Sequence, residues 1–210
     1  VPVTLGTWLE ADDVLALNPD AIIVATGATP DRQGSYATRP DLTEIPGAAL
    51  PHVITAWDAL SQPKLVRGRS VFILEDGHHE GFSTLYWLAE QGCDLVVVTT
   101  ALAPGVPALQ GTRERGILYP PLLRRLNGLH TLTQVIRIEE GSVRIRHNIT
   151  GEEQSLAADT VILSFGSRPD DRLYRALRGR HPEVRAVGDC VSPRKLGLAI
   201  YEGHVAGRAV

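Results

Sequence analysis

Two segments far apart in the chain carry the same pattern. PDAIIVATGATPD (19–31) and ADTVILSFGSRPD (158–170) align without gaps and share Asp, Ile, Gly, Pro and Asp. In each, Asp leads into a short apolar, β-branched run that closes in a Gly-x-x-Pro turn, the pattern of a buried strand feeding a loop. Solenoid repeats recur every 20 to 50 residues or roughly so. Copies separated by most of the chain fit two related domains instead.

The intervening sequence has its own logic. Ser70 to Leu74 reads as a strand, Phe82, Leu85, Trp87, Leu88 and Ala89 give a helix an apolar surface through about residue 91, and Leu95-Val96-Val97-Val98 reads as a second strand. That is a βαβ unit, whose strands are parallel and buried on both faces. After the Pro- and Gly-rich loop 103–111, a short helix is predicted to begin near Pro120-Pro121 and to stop at Asn127-Gly128. The period then changes to two, so 134–156 reads as a small antiparallel meander turning at Glu140-Gly141. Asn148-Ile149-Thr150 matches a glycosylation sequon and reads as a turn in that meander. The last helix, Lys195 to Val210, has Leu196, Ala199, Ile200, Gly203, Ala206 and Gly207 on one side, its glycines leaving room for close packing. The expected fold class is α/β, with 1–65 and 168–210 forming an outer domain and 66–167 inserted into it. Strands 21–25 and 184–187 should share one sheet, and 70–74, 94–98 and 159–164 another.

With 43% hydrophobic and 21% charged residues, the chain has the composition of an ordinary globular protein. A net charge of −3, scattered in both signs, offers no basic face to nucleic acid or to a membrane surface. No apolar run approaches the roughly 18–20 residues that span a bilayer, and Val1-Pro2-Val3-Thr4-Leu5 lacks signal-peptide features, so a cytoplasmic location is expected. Cys93 and Cys190 form no CxxC and read as packing residues. His78-His79-Glu80 is too cramped to chelate one ion, so no metal is expected. The arginines between Arg168 and Arg185 read as a solvated face. With no methionine and a start in what reads as a strand, the chain is expected to be a piece of a longer protein.

Three motifs carry chemistry: Ala25-Thr26-Gly27, Gly166-Ser167-Arg168-Pro169, and Val187-Gly188-Asp189-Cys190 before the last helix. Gly188 lets the backbone pass close to a ligand, and Asp189 offers a carboxylate to ribose or ribitol hydroxyls. The alternative reading of Gly188-Asp189 is a plain turn. On these motifs the chain resembles flavoproteins of the disulfide-reductase class, in which a Rossmann-like NAD(P)-binding domain is inserted into an FAD-binding one. The spelling GDCVSPRKLGLAIYEGHVAGRAV (188–210) narrows the resemblance to the Old Yellow Enzyme-related NADH:flavin oxidoreductases, the branch of dienoyl-CoA reductase and of trimethylamine, dimethylamine and histamine dehydrogenases.

That resemblance implies the C-terminal nucleotide-binding region of a multidomain oxidoreductase. FAD or ADP would be held near Ala25, Thr26, Gly27, Gly188, Asp189 and Cys190. An N-terminal TIM barrel with FMN and a 4Fe-4S cluster would carry the reaction, and an electron-transfer flavoprotein could accept the electrons; the fragment alone would be inactive. A non-catalytic, vestigial nucleotide module for assembly or carrier docking stays open beside it. In the inserted domain a Gly-x-Gly-x-x-Gly loop should occupy 75, 77 and 80, yet the residues are Glu75, Gly77 and Glu80. Thr99 and Thr100 stand where an acid would hold the ribose. These departures predict weak or absent NAD(P)H binding there.

Overall fold

In the computed structural model, residues 2–36, 39–75, 79–105, 109 and 114–210 are described. The elements run α1 (Ala11–Ala16), β1 (Ile22–Val24), β2 (Ala28–Pro30), β3 (Val53–Thr55), α2 (Ala56–Ser61), β4 (Arg69–Leu74), α3 (His79–Glu90), β5 (Asp94–Val98), α4 (Glu114–Leu123) and β6 (Gly128–His130). They continue with β7 (Thr133–Glu139), β8 (Ser142–His147), β9 (Glu153–Ala157), β10 (Thr160–Ser164), β11 (Ser167–Pro169), α5 (Arg172–Leu177), β12 (Val184–Ala186) and α6 (Leu196–Arg208). They divide into two compact units, one of residues 1–29 and 167–210 and one of residues 30–166.

The second unit is built on a parallel sheet of order β3-β10-β4-β5-β6. That is a Rossmann-like order, in which the direction of winding reverses beside β4. Val71, Phe72 and Ile73 are completely buried in succession, as a strand covered on both faces requires. Phe72 and Leu74 pack with Phe82, Leu85 and Leu88 of α3, with Ala59 of α2 and with Leu122 of α4. Val71 and Ile73 point the other way, against Val135, Ile138, Val143 and Ile145 of the antiparallel β7-β8-β9 meander and against Tyr36, Ile45 and Ala48. The meander turns at Gly141, which takes the left-handed φ of 75°.

Residues 30–65, assigned from sequence to the outer domain, pack in this second unit. The cause is pairing: β3 lies parallel beside β10, with Val53 opposite Val161 and Ile54 opposite Ile162. The expected partition of strands holds, since β1 pairs with β12 while β4, β5 and β10 share the larger sheet. The helix expected to start at Pro120 starts at Glu114 instead, with both prolines inside it. Its buried Leu122, with Leu118 and Tyr119 packed partly against the same core, outweighs the two backbone donors the prolines lack.

In the first unit the β1–β12 sheet has two strands, and Ala11, Ile22, Val24, Leu177 and Cys190 form a small core. The apolar side of α6 is mostly uncovered: Leu196 is 75% and Ile200 64% exposed, while Ala206 is buried. Gly203 and Gly207 have nothing within 4 Å of where a Cβ would stand, so they serve no close packing here. A two-stranded sheet offers too little surface to cover a helix of that length.

The packing of the meander yields a stability prediction. A Cβ on Gly47, which holds φ +92°, would lie 2.0 Å from the Ile138 carbonyl oxygen. Gly47→Ala should therefore destabilise the second unit by about 3 kcal/mol or more. Gly116→Ala, in the open on α4, should be neutral or stabilising by up to about 1 kcal/mol. Denaturant unfolding of the two variants distinguishes them.

Candidate functional site

The parallel pairing of β1 and β12 sets Ile22 opposite Val184 and Val24 opposite Ala186. The ladder extends one step further, with the Val187 N–H donating to the Val24 carbonyl at 3.0 Å. Both strands therefore end level, and the loops that leave them are Ala25-Thr26-Gly27 and Gly188-Asp189-Cys190. This is the edge at which α/β sheets receive ligands, because the strand ends are where backbone not already used in the ladder is presented.

The side chains at this edge differ in what they can offer. Gly27 has φ +76° and open space where a Cβ would point, so a ligand can approach the backbone. Ala25 and Thr26 are exposed, but the Thr26 hydroxyl donates to the Asp170 carbonyl, and Asp170 N–H donates to the Gly27 carbonyl at 3.0 Å. Gly188, at φ +71°, begins a single 3-10 turn, Gly188–Cys190. Asp189 is half-buried, and its Oδ1 accepts the Arg194 N–H at 3.2 Å. Cys190 is 1% exposed and its thiol lies against the carbonyls of Val24 (3.2 Å) and Val187 (3.0 Å). Its side chain thus locks the loop to β1 and cannot face a ligand. Cys93 lies half-buried in the other unit, where burial pushes its thiol pKa up, the reverse of a reactive cysteine.

Sequence reasoning missed two residues that govern this edge. Glu202, on α6, accepts the Gly188 N–H at 2.8 Å, and Arg194 donates a guanidinium N–H to the same carboxylate. The Gly188 N–H first, and Arg194 next, lower the Glu202 pKa below the ordinary carboxylate value. The 14-residue spacing of Gly188 and Glu202 belongs to no local motif, so no sequence signal marked the contact. The arginines after β11 are paired with acids, Arg172 with Asp170, Arg175 with Asp171, Arg180 with Asp12 and Arg185 with Glu183, as befits a solvated face.

In the second unit the corresponding edge is the carboxyl end of β4 and β5. Glu75 directly follows β4, and its N–H donates to the Ser164 carbonyl at 2.8 Å. Its carboxylate accepts the Thr100 N–H at 2.6 Å and the Thr100 hydroxyl. Glu80 is exposed in the first turn of α3, and Gly81 beside it is buried. Gly77 lies outside the described residues. Among the described residues no group of three His, Cys, Asp or Glu side chains could hold a metal ion, and no helix is long and apolar enough to cross a membrane.

A depressed carboxylate pKa contributes stability above the unfolded value and loses it as pH falls through the folded one. The Gly188–Glu202 contact should therefore persist at neutral pH and open only below the ordinary glutamate range. Hydrogen exchange at the Gly188 amide should accelerate beyond its intrinsic pH trend in that acid window, and Glu202→Gln should remove the pH dependence.

No family model matches the chain. It is 32% identical over 211 residues to bilirubin reductase from Mediterraneibacter gnavus, a match covering all of this chain and 30% of that protein. Dimethylamine dehydrogenase from Hyphomicrobium sp. is 30% identical over 96% of this chain and 31% of its own length. Among solved structures, 6-hydroxypseudooxynicotine amine oxidase from Pseudomonas geniculata superposes with a TM-score of 0.84 at 31% identity, over 97% of this chain and 31% of that one. The chain thus spans about a third of the length of the relatives it matches. By sequence and by fold it belongs to the Old Yellow Enzyme-related NADH:flavin oxidoreductase branch.

Proposed function

We propose that this chain is the nucleotide-binding part of a longer flavin-dependent oxidoreductase, and that it holds FAD or ADP at the carboxyl ends of β1 and β12. The observation that carries the reading is the level ending of these two parallel strands, which places Ala25-Thr26-Gly27 beside Gly188-Asp189-Cys190. The residues fit such a group: a glycine with open space at Gly27, a glycine with left-handed backbone at Gly188 and a half-buried carboxylate at Asp189. Gly27 admits the nucleotide backbone closely. Asp189 accepts a hydrogen bond from a ribose or ribitol hydroxyl, with its orientation held by the Arg194 N–H. Cys190 fixes the turn from behind. FAD would supply a redox-active ring here, whereas ADP would supply only a structural anchor.

The reaction itself belongs, in this reading, to an N-terminal TIM barrel of the same protein bearing FMN and a 4Fe-4S cluster, with this chain alone inactive. Electrons would leave through a carrier such as an electron-transfer flavoprotein, because the second unit is poorly furnished for NAD(P)H: Glu75 and Glu80 stand where glycines would admit a pyrophosphate.

The test is to release and identify the nucleotide from the intact protein. FAD or ADP at one equivalent beyond any FMN supports the reading, FAD favouring electron transfer through this region and ADP favouring an assembly or docking module. Absence of both would overturn it. Asp189→Ala should weaken retention by about 1.5–3 kcal/mol, the worth of hydrogen bonds to a charged group, at unchanged fold stability. Cys190→Ser should leave the flavin's reduction unchanged.

A further inference from the structure

The inserted unit departs from a pyridine-nucleotide fold at two positions, and the structure joins them in one contact. Where the first glycine of the phosphate loop belongs there is Glu75. Where an acid should follow the second strand there is Thr100. An acid at the second position would repel a carboxylate at the first. Thr100 does the opposite, presenting two donors, its N–H at 2.6 Å to Glu75 Oε1 and its hydroxyl to Oε2. The contact is bidentate, with one donor on each carboxylate oxygen.

We propose that the carboxyl edge between β4 and β5 is an anion-binding site and that the chain fills it with its own Glu75 carboxylate. The inference rests on the reading of this unit as a dinucleotide-type fold. The ligand class is a small oxyanion, a carboxylate or a phosphate, because a backbone N–H and a hydroxyl side by side suit two oxygens of one anionic group. Glu75 is well placed for the role: its own N–H is tied to the Ser164 carbonyl, so its side chain starts from a fixed point at the end of the central strand. Thr100 is fixed too, because Thr99 before it donates to His130 and accepts from Thr133. The carboxylate's charge also reaches the interior. Tyr36, buried beneath with its phenol oxygen accepting the Val135 N–H at 3.0 Å, has its pKa raised first by burial and then by Glu75. A ribose or pyrophosphate arriving at this edge would meet a negative charge and find both Thr100 donors engaged.

Hydrogen–deuterium exchange of the intact protein, without added nucleotide, tests this on peptides containing Thr100. Wild type, Glu75→Ala and Glu75→Gln are compared in sodium formate and in sodium chloride of equal ionic strength. In wild type these amides should exchange slowly and ignore formate. In Glu75→Ala exchange should be about tenfold faster or more, and formate should restore protection saturably, whereas Glu75→Gln should be intermediate and unresponsive because its amide still fills the space. Peptides from 69–74 and 160–164 report the integrity of the sheet. Should Glu75→Ala loosen those as well, Glu75→Gln decides: faster exchange confined to the Thr100 peptide supports the site, and no change overturns it. Unchanged protection in Glu75→Ala, a formate response shared by wild type, or protection of the wild-type peptide by added ADP or NADH would each overturn the proposal. Loss of FAD or ADP from the Gly188 edge would leave this readout untouched, so the two readings fail separately.

Discussion

The inserted unit depends on a parallel sheet whose two faces must both be kept from water. Central strand β4 holds apolar side chains at four successive positions, so Val71 and Ile73 need cover on one side and Phe72 and Leu74 on the other. Helices α2, α3 and α4 supply one cover and the β7-β8-β9 meander the other. With both faces sealed, no polar ligand can be met there, and any polar chemistry has to collect where the strands end. In the smaller β1–β12 pair Ile22 and Val24 are buried, while Ala25 and Thr26 after β1 are exposed and Asp189 after β12 is half-buried.

Much of this was legible in the letters because the buried strands are long apolar runs and the meander has period two. The paired segments 19–31 and 158–170 became β1-β2 and β10-β11, and the equivalent glycines, Gly27 and Gly166, both take left-handed φ, of 76° and 81°. Illegible was the membership of residues 30–65. Three-residue β3 is too short to announce itself, and only its pairing with β10 assigns it. The start of α4 was not legible because proline signals a helix start, whereas here Leu122 anchors a helix already under way. At the site, Gly188 and Asp189 were readable as a motif, but the inward turn of the Cys190 thiol and the reach of Glu202 depend on how α6 folds back, which no local pattern encodes.

Each unit uses a carboxylate of its own to satisfy donors at its strand ends. Glu202 takes the Gly188 N–H and Glu75 takes the Thr100 N–H. The environments differ. Glu202 also accepts from the Arg194 guanidinium, and Glu75 also accepts from the Thr100 hydroxyl at the end of a buried strand. In both, a backbone donor at a strand end is taken by the chain's own carboxylate, which holds the loop in shape.

The turns after β1 and β10 are also tied to each other's strands in a reciprocal way. Asp31 N–H donates to the Gly166 carbonyl and Asp170 N–H to the Gly27 carbonyl, each at 3.0 Å, flanking the paired strands β2 and β11 through which the chain enters and leaves the inserted unit. The points of entry and exit are therefore held about one strand spacing apart, roughly 4.8 Å. Rejoining them after removing the insert would take only a tight turn, and the entropy of closing so short a gap is small. A shortened chain in which a tight turn joins β2 to β11 would therefore keep the strand order of the β1–β12 sheet.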